Sequence, residues 1–133
     1  MRDVFAMARE LPPELAPNTT LRIDGETFLV DHPDGRSQKI RVRREGDRYV
    51  FTSRGIGARR VEGLSWEELA QLVWHRNRVT PLVAFMLDGR GRLVGRIEQP
   101  VATLDPEELH AYLLLLAREC DRLEFVLTGR DEM

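Results

Sequence analysis

Few side chains in this sequence are of a type that could act as a nucleophile or a base. The three histidines, His32, His75 and His110, fall on different predicted elements, and we expect each at the surface or on the flank of a helix. The single cysteine, Cys120, falls on the apolar stripe of a predicted helix, where burial would disfavour its thiolate. The sequence therefore predicts no catalytic residue and a protein that is not an enzyme.

The sequence also offers little that could hold a metal ion or a phosphate group. A lone cysteine excludes an internal disulfide, and no second thiol or nearby histidine gives the spacing of a metal site. The glycines of RGIGARR, residues 54–60, lack the Gly-Lys-Ser/Thr ending and the strand-to-helix context of a phosphate-binding loop. The acidic pairs at 67–68 and 107–108 fall in first helical turns, where the helix dipole stabilises them. We predict no metal and no cofactor.

The size and composition are those of one folded domain spanning residues 1–133. A chain of this length buries roughly two-thirds of the surface that it exposes when unfolded. Hydrophobic residues at 42% and charged residues at 32% are typical of a globular protein. The apolar runs are far shorter than the roughly 20 residues of a membrane span. Asp3, Arg9 and Glu10 interrupt the N-terminal apolar stretch, so we expect no signal peptide there. We expect a cytoplasmic protein with no membrane partner.

Charge is distributed unevenly along the chain, although the net charge is only -2. Residues 36–60 contain nine basic and two acidic residues, whereas residues 103–133 contain eight acidic and three basic ones. The two regions attract each other within one chain or between two chains. The predicted basic patch consists of Lys39, Arg41, Arg43, Arg44 and Arg48.

Three interpretations of this basic patch are open. Guanidinium groups pair with phosphates and carboxylates, which would suit nucleic acid or another acidic ligand. Tyr49 and Phe51 could stack on bases if they shared the cationic face, but they could equally point into the core. We favour the third interpretation, a strand face that is solvated or neutralised by the acidic last helix, over nucleic acid.

The N-terminal half is predicted to be a short helix, Val4–Leu11, followed by an antiparallel meander. Pro12-Pro13 stops the helix, and turn residues at 34–35 and 45–47 separate the strands. The three predicted strands are Leu21–Val30, Gln38–Arg44 and Arg48–Ser53. Period-two alternation puts Ile40 and Val42 on one face and the cations at 39, 41 and 43 on the other. One sheet face is therefore predicted to be apolar and the other cationic.

The C-terminal half is predicted to be a helix, a hairpin and a long helix. A glycine-rich connection, 54–63, precedes a helix at Trp66–Arg76, where Ser65 and Glu68 have the spacing of a capping box. Two strands, at 82–87 and 93–98, are joined by the turn sequence DGRG. The last helix begins after Asp105, with Pro106 in its first turn and Glu108 completing a second box. It runs to residue 128 and is ended by the glycine at 129.

The order helix, three strands, helix, two strands, helix resembles the type III secretion chaperone-like fold, which also includes bacterial sensory-transduction regulators. The likeness is strongest in LDGRGRLVGRIEQP and LDPEELHAYLLLLARECDRLEFVLTG, which are similar to that family's final hairpin and final helix. The resemblance implies an α+β domain in which helices pack on an antiparallel sheet. It also implies a homodimer and a surface able to hold an extended segment of another protein.

Apolar residues beyond those needed for the core mark the candidate interface. On a helical wheel, the core-facing stripe of the last helix consists of Leu109, Tyr112, Leu113, Leu116, Cys120, Leu123 and Leu127. Leu114, Leu115, Phe125 and Val126 fall largely on the opposite side, and leaving such side chains in water forgoes roughly 1.5 to 3 kcal/mol each. We expect a protein interface there, with cover by the N-terminal helix or plain exposure as alternatives.

The middle helix shows a similar surplus. Leu72 and Trp74 flank its apolar stripe, and the family resemblance points to this helix for dimer contacts. The sequence thus predicts a homodimeric, non-catalytic domain that binds a protein or peptide, chaperone-like or regulatory. The alternative is binding of nucleic acid or an acidic ligand through the arginine-rich strands.

Overall fold

The computed structural model describes residues 3–33, 35–54, 65–79, 82–87 and 93–128, without the side chains of residues 66, 69, 79 and 124–128. Three helices and seven strands occupy these ranges. The helices are α1 (Val4–Ala8), α2 (Trp66–Val79) and α3 (Pro106–Thr128). The strands are β1 (Glu14–Ala16), β2 (Thr19–Asp24), β3 (Thr27–Asp31), β4 (Ser37–Glu45), β5 (Arg48–Arg54), β6 (Ala84–Leu87) and β7 (Leu93–Pro100).

All seven strands form one antiparallel sheet in the order β1-β2-β3-β4-β5-β7-β6. Because β7 pairs with β5 on one side and with β6 on the other, β6 lies at an edge of the sheet. Alternation along the strands sends Phe28, Ile40, Phe51 and Ile97 to one face, where all four are fully buried. The α+β fold class predicted from the sequence is confirmed.

The long helix α3 covers this inner face and closes the core. It contacts β7, β4 and β5, and its buried stripe includes Leu109, Leu113, Leu116 and Cys120. The short helix α1 packs against α3, and Phe5 stacks on Phe28 with ring centroids 4.8 Å apart. None of the helices in the described ranges has the length and hydrophobicity needed to span a membrane.

Capping interactions fix where α2 and α3 begin. At α2, the Glu68 amide donates to Ser65 Oγ at 3.1 Å, and the Ser65 amide donates to Glu68 Oε1 at 3.4 Å, so the predicted capping box is confirmed. At α3, the Glu108 amide donates to Asp105 Oδ1 at 2.8 Å. The Glu108 carboxylate accepts a hydrogen bond from the Tyr112 hydroxyl at 2.9 Å, and burial together with this carboxylate raises the pKa of Tyr112.

Several element boundaries differ from those predicted. The segment predicted as one strand from Leu21 to Val30 is a hairpin of β2 and β3, in which Gly25 adopts a φ of 61° that glycine tolerates without strain. An additional strand, β1, pairs with β2. The helix α1 ends at Ala8, α2 extends to Val79, and β6 begins only at Ala84.

Some predicted features lie outside the described residues. These are the turn at 88–91, the helix-ending glycine at 129 and all of the glycine-rich connection except Arg54. The hairpin pairing on either side of the turn is observed, since Leu87 is the register partner of Leu93.

Candidate functional site

The outer face of the sheet, which faces away from α3, carries the arginine-rich side chains. Lys39, Arg41 and Arg43 are exposed on β4, while Ile40 between them is fully buried. The alternation predicted for this strand is therefore confirmed. Register continues the face across the sheet, because Arg41 pairs with Thr52 of β5, and Thr52 pairs with Arg96 of β7.

At one end of this face the cations are neutralised by acids. Glu45 forms salt bridges with Arg43 at 3.2 Å and with Arg96 at 3.6 Å. Glu98 forms salt bridges with Arg96 at 3.2 Å and with Arg48 at 3.8 Å. Arg43 and Arg48 of the predicted basic patch thus belong to an ion-pair network between β4, β5 and β7. Beneath it lies Val50, the register partner of both Arg43 and Glu98, which is almost fully buried.

The same face is also neutralised further along, at β2 and β3. Asp31 accepts two hydrogen bonds from the Arg22 guanidinium, Nε to Oδ2 at 2.6 Å and Nη2 to Oδ1 at 2.9 Å, and a third from the Ser37 hydroxyl. The bond from Arg22 and the bond from Ser37 lower the pKa of the Asp31 carboxyl to about 2. This ionised carboxylate fixes the Arg22 side chain in place.

Asp31→Asn is expected to destabilise the fold by about 0.5–1 kcal/mol near neutral pH, the upper range for an exposed ion pair. The pKa of Asp31 falls from 3.8 to about 2 on folding, so its contribution is present above pH 4 and is lost as the pH falls towards 2. Urea unfolding of the wild type and the variant at pH 6 and pH 2.5 measures the difference.

The control for this measurement is Asp47→Asn, since Asp47 is exposed in the turn between β4 and β5 and forms no ion pair with a described residue. An equal cost of Asp31→Asn at both pH values would contradict the role of the ionised carboxylate.

Between the two neutralised regions lie three cations that form no salt bridge with any described residue: Lys39, Arg41 and Arg54, here called the central cations. Arg54 follows Ser53, the register partner of Ile40, so it lies on β5 beside Lys39. Arg54 is not part of the predicted basic patch, because the sequence predicts residue 54 as the start of the glycine-rich connection, whereas β5 includes it in the structure. Arg44, which was included, lies near the end of β4 and donates Nε to the Gly46 carbonyl at 3.0 Å.

An open groove of about 1100 Å³ runs along the central cations. Its charged lining residues are Lys39, Arg41, Arg43, Arg44 and Arg54, against Asp3 and Glu26. Of the two aromatic residues considered for base stacking, Phe51 is buried in the core and does not line the groove. Tyr49 lines the groove, but only 6% of its surface is exposed. The acidic last helix covers the opposite face of the sheet, and it meets the basic region through the pair Arg36–Asp121 at 3.4 Å.

A second candidate surface, here called the edge patch, consists of Trp74, Leu82 and Met86, the large apolar side chains that the described residues leave most exposed. Their exposed fractions are 62%, 59% and 38%. They lie around the contact between α2 and the edge strand β6, where the Asn77 side chain binds both the amide and the carbonyl of Phe85 at 2.6 and 3.0 Å. The edge patch therefore sits on a fixed junction of helix and strand.

The predicted interface residues are only partly found at this surface. Trp74 is the most exposed of them, with the Arg78 guanidinium 4.7 Å from its ring centroid. Leu72, Leu114 and Leu115 are half-buried and pack against the core. The apolar surplus of α3 at 114 and 115 is thus partly covered within the chain, while the side chains of Phe125 and Val126 lie outside the described set.

Solved structures with this arrangement of sheet and helices are known. A chain of the heterodimeric complex ExoU–SpcU, from the type III secretion system of Pseudomonas aeruginosa, matches with a TM-score of 0.57 and 22% identity over 96% of this chain and 98% of that one. A chain of the HopA1–SchA chaperone–effector complex matches at 0.56 with 12% identity, over 92% and 88% of the two chains. The protein has the type III secretion chaperone-like fold. A chain of the ExsC–ExsE complex agrees, with a TM-score of 0.54 and 19% identity over 93% and 88%.

The matches to this chaperone-like fold come from the comparison of structures. No family model matches the chain, and no curated protein matches it either. The resemblance predicted from element order is confirmed at the level of the fold.

The groups able to do chemistry are dispersed over the chaperone-like fold. Cys120 is buried, as predicted, with its sulfur 3.9 Å from the Ser53 carbonyl. His32 was expected at the surface, which is wrong: it is buried beside the β3–β4 turn, and its Nε2 has no hydrogen-bond partner among the described residues. The described residues contain no group of histidine, cysteine and carboxylate side chains arranged for a metal ion.

Proposed function

We propose that this chain is a non-catalytic, protein-binding domain of the chaperone-like type that acts as a homodimer in the cytoplasm. The observation that carries the proposal is the edge patch on a chaperone-like fold. Exposed large apolar side chains around one junction of helix and strand are typical of a surface that another protein covers. Because each of them is already partly covered, burying its exposed part contributes a fraction of the roughly 1.5 to 3 kcal/mol for a fully exposed side chain.

The structural neighbours support a protein as the ligand. The SchA structure is described as a chaperone–effector complex with HopA1, and the SpcU structure as a heterodimeric complex with ExoU. Both folds are therefore found holding another polypeptide. Because the sequence identities are low, the client of this chain has to be inferred from the chain's own surface residues.

The chemistry of the described residues supports a role without catalysis. A nucleophile needs a base within hydrogen-bond reach, and a base needs a group that orients it. The Cys120 sulfur contacts a backbone carbonyl in the core, and His32 lies at the β3–β4 turn on a different element. Each of these side chains has a packing role in place of a catalytic one.

The position of the edge patch supports the proposed homodimer. A twofold axis beside β6 would place the two Trp74 side chains in one interface, so each apolar residue would contribute twice. One such twofold contact would bury the edge patches of both chains, which contain the most exposed large apolar side chains of the described residues.

Light scattering coupled to size-exclusion chromatography is expected to give twice the 15.4 kDa chain mass across a wide concentration range. A mass of one chain even at the highest concentration would contradict the dimer. The same measurement at high salt separates an apolar interface from an electrostatic one, because screening weakens only the latter.

A further inference from the structure

We propose that the central cations Lys39, Arg41 and Arg54 hold an extended acidic segment of the client protein. This inference rests on the proposed protein-binding function and deepens it by naming the chemistry of the segment. It assigns the outer face of the sheet, with its open groove, as a docking surface. The edge patch adjoins this surface, because Met86 is the register partner of Val94, which lines the groove.

Charge pairing along the face singles out these three residues. Arg22 is held by Asp31, and Arg43, Arg48 and Arg96 are held by two glutamates on the same face. The central cations lie between these pairs and have no acidic partner in the described ranges. Their charge is therefore available to an acidic ligand without breaking an existing ion pair.

The spacing of the central cations fits an extended polypeptide. Lys39 and Arg41 are two residues apart on one strand, a separation of about 6.6 to 7 Å. Carboxylates at alternate positions of an extended segment have the same separation, so consecutive acids can face consecutive cations. Arg54 lies on the neighbouring strand, about 4.8 Å from Lys39, and its guanidinium can pair with a carboxylate of the same segment.

Other acidic ligands fit this surface less well. The groove is open, whereas sites for small molecules are enclosed. Asp3 and Glu26 line the groove together with the cations, so a segment with spaced acids meets less repulsion than a polyanion that carries a charge at every nucleotide. Phe51 is buried in the core and offers bases no stacking surface.

The test uses a fluorescein-labelled decapeptide of alternating serine and glutamate, and its binding to the full chain is followed by fluorescence anisotropy. A peptide of the same composition with all glutamates in one block tests the spacing. We expect the alternating peptide to bind more tightly than the block peptide and to be released as the salt concentration rises. The combined change Lys39→Glu, Arg41→Glu and Arg54→Glu is expected to weaken binding by at least tenfold, about 1.4 kcal/mol.

A charge-matched control reverses three exposed cations on other elements: Arg9, Arg118 and Arg122. It is expected to leave peptide binding within about twofold of the wild type, since distant charges are screened. If the triple reversal of the central cations does not fold by circular dichroism, Arg41→Gln replaces it, with an expected loss of about threefold.

Failure to bind the alternating peptide, or equal binding by the wild type and the central variant, would overturn the proposal. Tighter binding of a single-stranded oligothymidine than of the peptide would overturn it in favour of nucleic acid. If the chain is dimeric and retains a client but does not bind the peptide, this inference is wrong and the proposed function stands. If the chain is monomeric and retains no client but binds the peptide through the central cations, the proposed function is wrong and the acidic-ligand site stands.

Discussion

Trp74→Asp is expected to convert the proposed dimer into a monomer at concentrations at which the wild-type chain should be dimeric. Buried interface tryptophans commonly cost at least 2 kcal/mol when removed. In a twofold interface one substitution removes the contact twice, so the expected loss is about 4 kcal/mol, or about a thousandfold in the dissociation constant. Light scattering over a dilution series measures it. Because Trp74 is already exposed in the single chain, the folded monomer should keep its stability.

The matched control is His75→Asp, which introduces the same side chain at the next exposed position of α2. It projects about 100° away from Trp74 around the helix. An unchanged dimer mass for Trp74→Asp, with both variants folded, would move the interface away from the edge patch. The half-buried Leu115 of α3 would then become the next residue to change.

Gly95→Ala is expected to destabilise the fold by about 1–3 kcal/mol, the range for overpacking a filled core. A methyl group at Gly95 would lie 2.6 Å from Cys120 Sγ, 3.1 Å from Leu116 Cδ1 and 3.3 Å from Phe85 Cε1. The first two atoms belong to α3, so the helix would have to move away from β7. Urea unfolding monitored by circular dichroism gives the change in the free energy of unfolding.

A double-mutant cycle with Cys120→Ala identifies the cause. Removing the sulfur opens the closest contact, so Gly95→Ala should cost about 1 kcal/mol less in the Cys120→Ala background than in the wild type. If Gly95→Ala lowers the free energy of unfolding equally in both backgrounds, the close contact between Gly95 and Cys120 is not the cause. A Gly95→Ala variant as stable as the wild type would contradict the close packing of α3 on β7.

Local sequence signals were sufficient for the helices and for the cationic strand. Ser65 with Glu68, and Asp105 ahead of α3, satisfy helix-end amides that any helix must expose, so the caps can be located without knowledge of the fold. Alternation around Ile40 likewise places the cations on one face, because the period of a strand is two. These features depend on near neighbours in the chain.

Some features of the sheet differ from the prediction although the sequence contains a local signal for them. Asp24-Gly25 is a strong hairpin sequence, and it splits the predicted strand Leu21–Val30 into β2 and β3. An isolated glycine inside a strand, as at Gly95, indicates a close approach of another element. Continuing the alternation of β5 from Thr52 would have brought Arg54 into the basic patch.

Features that depend on contacts distant in sequence could not have been predicted. The ion pairs from Glu45 and Glu98 require the register of β4, β5 and β7, which no local pattern contains. The position of α2 against the edge of β6 depends on Asn77 reaching the backbone of Phe85. Hydrophobicity alone could not reveal that Trp74 stays exposed while Leu115 packs against the core.

The proposed role is tested most directly by capturing the client of the tagged chain from a lysate of its native cells and measuring the mass of the purified complex. The mass of the complex by light scattering should correspond to two chains plus client, and the intact mass of the client should be that of the unmodified polypeptide. A client that is recovered cleaved or chemically altered would contradict a role without catalysis. Retention of no protein above the level of the untagged control would contradict the protein-binding role itself.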